Sequence, residues 1–244
     1  NRNGTPRPRS FPGPHTKHRL ALLSNKSRLP GSGSRRSRYH KQVSHLSIQH
    51  IRDSVSAHEP EQFAVNNETR QAAVAVVLHE SDDGSEILFI KRANHDADPW
   101  SGHMAFPGGH RDPVDISLKA AAVRETREEI GLDLEEATFL GSLSQQRAMP
   151  RGRTTDMVVA PFVFEINSIP IFSPNYEVNE IVWGSLDRML DRSLCDTETR
   201  RVGSNSTTFS GYRLTGGHFV WGLTYRALQT FFKVLDPNYV APDD

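Results

Sequence analysis

Three glutamates, Glu125, Glu128 and Glu129, are spaced i, i+3 and i+4. On a helix they fall within one turn, where like charges repel unless a cation sits between them. Hard divalent ions such as Mg²⁺ or Mn²⁺ prefer oxygen ligands and bridge carboxylates to phosphates. The sequence therefore marks Glu125, Glu128 and Glu129 as metal ligands. Arg124 can orient a neighbouring carboxylate, most simply Glu128 four residues on. A glutamate cluster alone reads as a solvated helix face. The segment Pro107-Gly108-Gly109 upstream reverses that reading. Backbone without side chains lets a carbonyl, that of Gly109, approach a metal and lets amides approach a phosphate.

The positioning elements can be read from hydrophobic pattern. A helix is expected from about Ser117 to Ile130, capped by Gly131, with Lys119, Val123, Thr126 and Ile130 on one face. Ala72–Leu78 and Ile87–Ile90 are short apolar runs flanking Ser81-Asp82-Asp83-Gly84, the pattern of a hairpin of buried strands. Asn94 to Gly109 reads as a loop. Further strands are expected at Phe139–Leu143, Met157–Ile166 and Glu180–Trp183, and a last helix at Leu223–Leu235, stopped by Pro237. Strands mixed with helices imply an α/β or α+β sandwich.

The chain has 244 residues, 36% of them hydrophobic, enough for one domain with appendages. Its 29 basic and 29 acidic residues balance, but unevenly. Residues 1–52 hold 12 Lys/Arg and no acid, and the rest carries a net charge of −12. Residues 1–55 are read as a basic, disordered or targeting segment resembling a transit peptide, with a nucleic-acid-binding arm ranked last. Residues 236–244 are read as a short tail. The single cysteine, Cys195, excludes an internal disulfide and fits an intracellular, reducing compartment, cytoplasmic or organellar. No apolar run approaches the roughly 20 residues of a membrane-spanning helix, so no membrane insertion is expected. His79, His103 and His110 lack zinc-ligand spacing, Arg147, Arg151 and Arg153 form a basic loop, and Cys195 has no neighbouring histidine to make it a nucleophile.

Arg124-Glu125-Thr126-Arg127-Glu128-Glu129-Ile130-Gly131-Leu132 resembles the second half of the Nudix hydrolase signature, with Thr126 where an aliphatic residue is usual. In the first half, Gly109 is followed after five residues by Asp115 rather than Glu, and eight residues rather than seven precede Arg124. The resemblance covers about residues 70–235 and implies a Nudix-type α/β/α sandwich with a mixed central sheet. Phe106-Pro107-Gly108-Gly109, the extra residue, Glu177–Trp183 and Val220–Thr224 are most similar to the coenzyme A pyrophosphatase-like branch. Two departures from that branch are Ala93 after Arg92, in place of serine, and Asp98 where a second arginine is usual.

The resemblance implies hydrolysis of a pyrophosphate bond in a nucleoside diphosphate linked to another moiety, coenzyme A or its acyl derivatives among the candidates. It implies Mg²⁺ or Mn²⁺ on Glu125, Glu129, Glu128 and the Gly109 carbonyl. Glu128 and Arg124 are expected to support catalysis. Glu177 and Glu180 are the later candidates for general base, with Glu180 taken first. Arg92, Phe106 and Gly108 are expected to bind substrate, and Trp100 to line the pocket. The partner is a small nucleotide-type molecule rather than nucleic acid, and self-association is compatible with the sequence. Competing readings are a Nudix enzyme acting on ADP-ribose, dinucleotides or capped RNA, and a catalytically silent nucleotide-binding domain.

Overall fold

The computed structural model describes residues 46–95, 100–148, 156–202 and 205–242. In chain order the elements are α1 (Ile48–Ala57), β1 (Arg70–Ser81), β2 (Gly84–Arg92), β3 (Met104–Ala105), β4 (Gly108–His110) and α2 (Leu118–Ile130). Then follow β5 (Thr138–Ser142), β6 (Gln146–Ala148), β7 (Met157–Ile166), β8 (Val178–Ser185) and α3 (Leu186–Leu190). The chain closes with β9 (Cys195–Val202), β10 (Asn205–Arg213), β11 (Phe219–Trp221) and α4 (Gly222–Leu235).

Val74 to Leu78 lie at the centre of β1, where both sheet faces are covered, so nearly every position is apolar and buried. One edge of β1 pairs with β7 in parallel along ten residues, Arg70↔Met157 to His79↔Ile166. The other edge is shared. Beside the turn it pairs with β2, from Leu78↔Ile87 to Ser81↔Gly84; further back it pairs with β4, Ala72↔His110 to Val74↔Gly108. The hairpin strands thus part company, and the segment from Met104 to His110 enters the fork. There β3 pairs with β2 and β4 with β1. The stretch expected to be a loop therefore carries two short strands. With two or three residues each, they lack the length for a periodicity to register in sequence.

One face of the sheet is covered by α2. Ala73 meets Ala121 and Ala122, while Ala75, Val77, Leu88 and Ile90 meet Ile130. The opposite face, with Val76, Leu78, Phe89 and Phe106, packs against Ile51 and Val55 of α1 and Leu228, Phe231 and Phe232 of α4. The result is an α/β/α sandwich with a mixed sheet. A second antiparallel sheet, β9-β10-β11, lies outside the expected strands; β9 and β10 are rich in polar residues with little alternation, and β11 is only three residues long.

Helix α1 begins within the segment read as basic, disordered or targeting, so that segment's last residues, from Ile48, are helical. Ser47 caps it, accepting from His50 N–H at 3.2 Å, and Ile48, Ile51 and Val55 are buried. Arg52 binds the buried Glu165 carboxylate through two nitrogens at 2.6 and 2.7 Å. Residues 1–45 of that segment lie outside the described residues. The tail after 235 is also tied down in part. Tyr239 donates to Gln229 Oε1 at 2.7 Å, and Ala241 is buried. No helix among the described residues is long and apolar enough to cross a membrane.

Candidate active site

Helix α2 starts where Ser117, in extended conformation, accepts from Ala120 N–H at 3.1 Å, and it stops where Gly131 adopts φ 72°. Both ends follow from residue chemistry: a hydroxyl satisfies a first-turn amide, and glycine enters the left-handed region without a Cβ penalty. The buried stripe is Ala121, Ala122, Thr126, Glu129 and Ile130. It is rotated from the expected face, because two alanines let the helix lie close to β1 while Lys119 stays exposed with its ammonium over the Phe139 ring. Thr126, the departure from the aliphatic position, is buried and donates to Ala122 O at 2.7 Å. Its hydroxyl is satisfied within the helix.

That rotation puts Glu129 inside, at 2% exposure. Its Oε2 accepts from Gly108 N–H at 2.8 Å. Burial pushes its pKa up to about 7, with Glu125 and Glu177 adding to the rise, while the Gly108 amide and the nearby charge of Arg92 oppose it. Glu125, one turn earlier, lies against Gly109: a Cβ built on that glycine would stand 2.6 Å from the carboxylate carbon. Burial raises its pKa also, against the pull of Arg124. Gly108 is constrained on its other side, since φ is 142° and a Cβ would collide with the Ala73 carbonyl. The two glycines thus hold one strand of backbone between β1 and two carboxylates.

Arg124 reaches more partners than expected. It grips Asp115 with two nitrogens, Nε to Oδ1 at 3.0 Å and Nη2 to Oδ2 at 2.9 Å. It also reaches Glu125 Oε1 at 3.0 Å, Glu128 Oε2 at 3.1 Å and the His110 carbonyl at 3.1 Å. Asp115 is buried, accepts from Asp112 N–H at 2.7 Å, and is held below the usual carboxylate range chiefly by the Arg124 guanidinium. The acid in the first half of the signature therefore anchors the arginine. The arginine in turn holds two of the three helix glutamates.

The glutamates separate into a pair and an outlier. Glu125 and Glu129 face Gly109 and Gly108, whereas Glu128 is exposed and turned toward Arg124. Among the described residues no three His, Cys, Asp or Glu side chains converge as a metal-holding group. The pair nevertheless fits a hard divalent ion. Burial pushes the Glu129 carboxylate up to about 7 despite the amide and the nearby charge of Arg92, and glycine backbone adjoins both acids.

Of the later carboxylates, Glu177 comes near the pair. Ser173 N–H donates to Ile130 O at 2.9 Å, Asn175 N–H to Glu129 O at 2.8 Å, and Ala93 N–H to Glu177 O at 2.7 Å. These bonds pin the loop between the ends of α2 and β2, and the charge of Glu177 is felt at Glu125 and Glu129. Glu180 is placed otherwise. It pairs with Lys91 on β2, and the alternation that sends Ile181 and Trp183 to the α2 face sends Glu180 to the opposite one. Its Oε1 accepts from His218 Nε2 at 3.1 Å.

Arg92, at the end of β2, is brought to Glu129. Phe106 is not brought to the site: it is 4% exposed and stacked on Phe89 at 5.3 Å. That placement corrects its assignment as a substrate contact, since a ring in the core has no face left for a ligand. Trp100 packs beside Ala72, Ala148 and Met157. Asp98, Arg151 and Arg153 lie outside the described residues. Arg147 pairs with Asp156 at 3.2 Å.

The chain matches the NUDIX domain over residues 69–201. A Schizosaccharomyces pombe protein, uncharacterized protein C14C4.10c, is 31% identical over 201 residues, covering 72% of this chain and 60% of that protein. The chain thus spans three fifths of that relative's length. Mouse mitochondrial coenzyme A diphosphatase NUDT8 is 31% identical over 175 residues, covering 70% of this chain and 80% of that protein. The uncharacterized Nudix hydrolase NudL of Yersinia pestis (strain Pestoides F) is 30% identical over 178 residues, with 70% and 81% covered. The chain belongs to the Nudix hydrolases, with relatives in the coenzyme A diphosphatase-like branch.

Proposed function

We propose that this chain hydrolyses the pyrophosphate bond of a nucleoside diphosphate linked to another moiety, with Mg²⁺ or Mn²⁺ held by Glu125, Glu129 and the Gly109 carbonyl. The observation that carries the reading is the pairing of Glu129 with the Gly108 amide and of Glu125 with Gly109 on one short strand. When bound, the ion supplies neutralisation of phosphate charge and acidification of a coordinated water.

The chain's own residues do the rest. Arg124, fixed by Asp115, keeps Glu125 from swinging away and holds Glu128 at the rim. Arg92 presents positive charge beside Glu129, where a phosphate oxygen would lie. Gly108 and Gly109 let the backbone lie close enough to Glu129 and Glu125 to hold both carboxylates in place. Glu177, pinned near both inner carboxylates, is the acceptor for a proton leaving the attacking water. Catalysis in this reading is mostly positioning and electrostatics.

Coenzyme A or its acyl derivatives is the leading substrate class, supported by the name of the mouse relative at 31% identity. A reducing intracellular compartment, with residues 1–55 including a targeting segment, is supported by the lone Cys195 and by the word mitochondrial in that relative's name. The test is a panel of coenzyme A, ADP-ribose, dinucleoside polyphosphates, NADH and oxidised nucleotides, with Mg²⁺ or Mn²⁺, scored for cleavage products. Glu125→Gln and Glu129→Gln should each lose most turnover while remaining folded. Near-normal rates in either variant with saturating metal would remove the assignment.

A further inference from the structure

The loop between β7 and β8, which carries Glu177, also carries side chains that nothing covers. Ile171 is 99% exposed and Tyr176 is 86% exposed. Single exposed apolar side chains are ordinary on a protein surface, so exposure alone assigns nothing. The comparison with the other exposed aromatic rings among the described residues says more. Phe63 lies under the Arg147 guanidinium at 5.0 Å, and Phe139 lies under the Lys119 ammonium at 4.6 Å. Tyr176 has no ring and no cation against it, so both faces of its ring are open.

The loop backbone fixes where this open ring stands. Asn175 N–H donates to Glu129 O at 2.8 Å, Asn175 Oδ1 accepts from Glu177 N–H at 2.8 Å, and Glu177 O accepts from Ala93 N–H at 2.7 Å. Tyr176 is thus held between an anchor on the residue that bears the inner carboxylate and an anchor next to Arg92. Its hydroxyl is hydrogen-bonded to the Glu177 carboxylate. The charge of that carboxylate is felt at both Glu125 and Glu129. The polar end of the ring is therefore tied at the rim of the carboxylate pair, and its apolar faces stay free. A tyrosine offers such contact area at little entropic cost, because it has only two side-chain torsions to fix.

We propose that Tyr176 is the platform on which the planar base of the substrate's nucleoside stacks, so that this residue sets the preference for nucleotides over other phosphorylated compounds. The inference rests on the proposed diphosphate chemistry of the adjoining pair. With a phosphate held at Glu125 and Glu129, the base lies one sugar away, beside the loop that Glu129 and Ala93 pin. Stacking on an aromatic ring accepts any base, because every base has a π-face. The contact selects for the presence of a base and leaves its identity open.

The experiment measures binding without turnover. Full-length protein with saturating Mg²⁺ is titrated calorimetrically with 5′-AMP and with ribose 5-phosphate, neither of which contains a bridging diphosphate to cleave. AMP should bind about tenfold more tightly. Tyr176→Ala should reduce AMP to the affinity of ribose 5-phosphate, with the affinity for ribose 5-phosphate and the unfolding temperature unchanged. Tyr176→Phe should keep the preference, because it retains the ring and loses only the hydroxyl. Ile171→Ala, which truncates the other open side chain of the loop, should keep it as well. Equal affinity of the two ligands for the unaltered protein would overturn the proposal, as would a preference that survives Tyr176→Ala. Loss of the preference in Tyr176→Phe would assign the residue to the orientation of Glu177 through its hydroxyl and overturn the stacking role. An equal loss in Ile171→Ala would make the loop a general apolar surface and overturn the assignment to one ring. Failure of the chain to cleave any diphosphate, with the tyrosine-dependent preference intact, would count against the hydrolytic reading alone.

Discussion

Gly108 and Gly109 are neighbours in sequence, yet the same substitution should have opposite consequences. At Gly108 an alanine Cβ would overlap the Ala73 carbonyl oxygen and stand 2.6 Å from Val74 Cα, both rigid backbone in the central strand. The residue also sits at φ 142°, a region that L side chains rarely adopt. Strain of this kind costs about 1–3 kcal/mol. Displacing β4 also breaks the amide bond to the Glu129 carboxylate, about 1.5–3 kcal/mol for a bond to a charged group. Gly108→Ala should therefore lose about 4 kcal/mol, a large part of the stability of a domain this size. At Gly109 the Cβ meets the Glu125 carboxylate at 2.6–2.7 Å, the far end of a side chain that can rotate. Gly109→Ala should cost about 1 kcal/mol or less, but it expels Glu125 from its place and should weaken Mn²⁺ binding at least about tenfold, one lost ligand contact being worth 1.4 kcal/mol or more. Thermal unfolding and Mn²⁺ titration followed by electron paramagnetic resonance read the two effects separately. Equal losses of melting temperature in both variants, or unaltered Mn²⁺ affinity in Gly109→Ala, would refute the geometry on which the candidate site rests.

Three further outcomes follow from the charges. Glu129 has its pKa raised from the usual 4.5 to about 7, so the metal-free folded chain binds more protons than the unfolded chain between those values. Its stability should fall as pH rises through that window, by about 3 kcal/mol at 1.36 kcal/mol per unit. Mg²⁺ should restore it at pH 8, and Glu129→Gln should flatten the dependence; a melting temperature insensitive to pH in the metal-free protein would contradict this. Asp115→Asn removes the anion that Arg124 grips in a buried setting, and it should cost about 2 kcal/mol while freeing the arginine to compete for Glu125, measurable as weaker Mn²⁺ binding. Glu177→Gln should lower kcat by at least about a hundredfold, the usual scale of a lost proton acceptor, whereas Glu180→Gln should leave kcat within a factor of about two; the reverse ranking in steady-state assays would exchange their roles.

The helix was legible because its two ends are written in residue chemistry: a serine hydroxyl before an amide in need of a partner, and a glycine where the chain must turn left-handed. The hairpin was legible for the same kind of reason, two apolar runs around a polar turn. What escaped was whatever depended on distant partners. The buried face of α2 is set by Ala121 and Ala122 meeting Ala73, and alanines carry too little hydrophobic signal to outweigh Val123 in a periodicity. Helix α1 was lost inside a basic stretch because its three buried residues, Ile48, Ile51 and Val55, are diluted by Arg, Gln, Ser and His. Phe106 reads as a pocket residue only while its partner Phe89 is unknown. The choice between Glu177 and Glu180 could not be made from spacing, because it depends on which sheet face each residue takes.

The parting of β1 from β2 ties these observations together. A hairpin zipped along its whole length would leave no edge of β1 for Gly108 and Gly109, and the glutamates of α2 would face a closed sheet. Because the strands pair only from Leu78 to Ile87, the unpaired edge of β1 at Ala72–Val74 is exposed to the returning segment. At Gly108 only a residue without a Cβ fits against Ala73 and Val74, so its backbone amide reaches Glu129 directly.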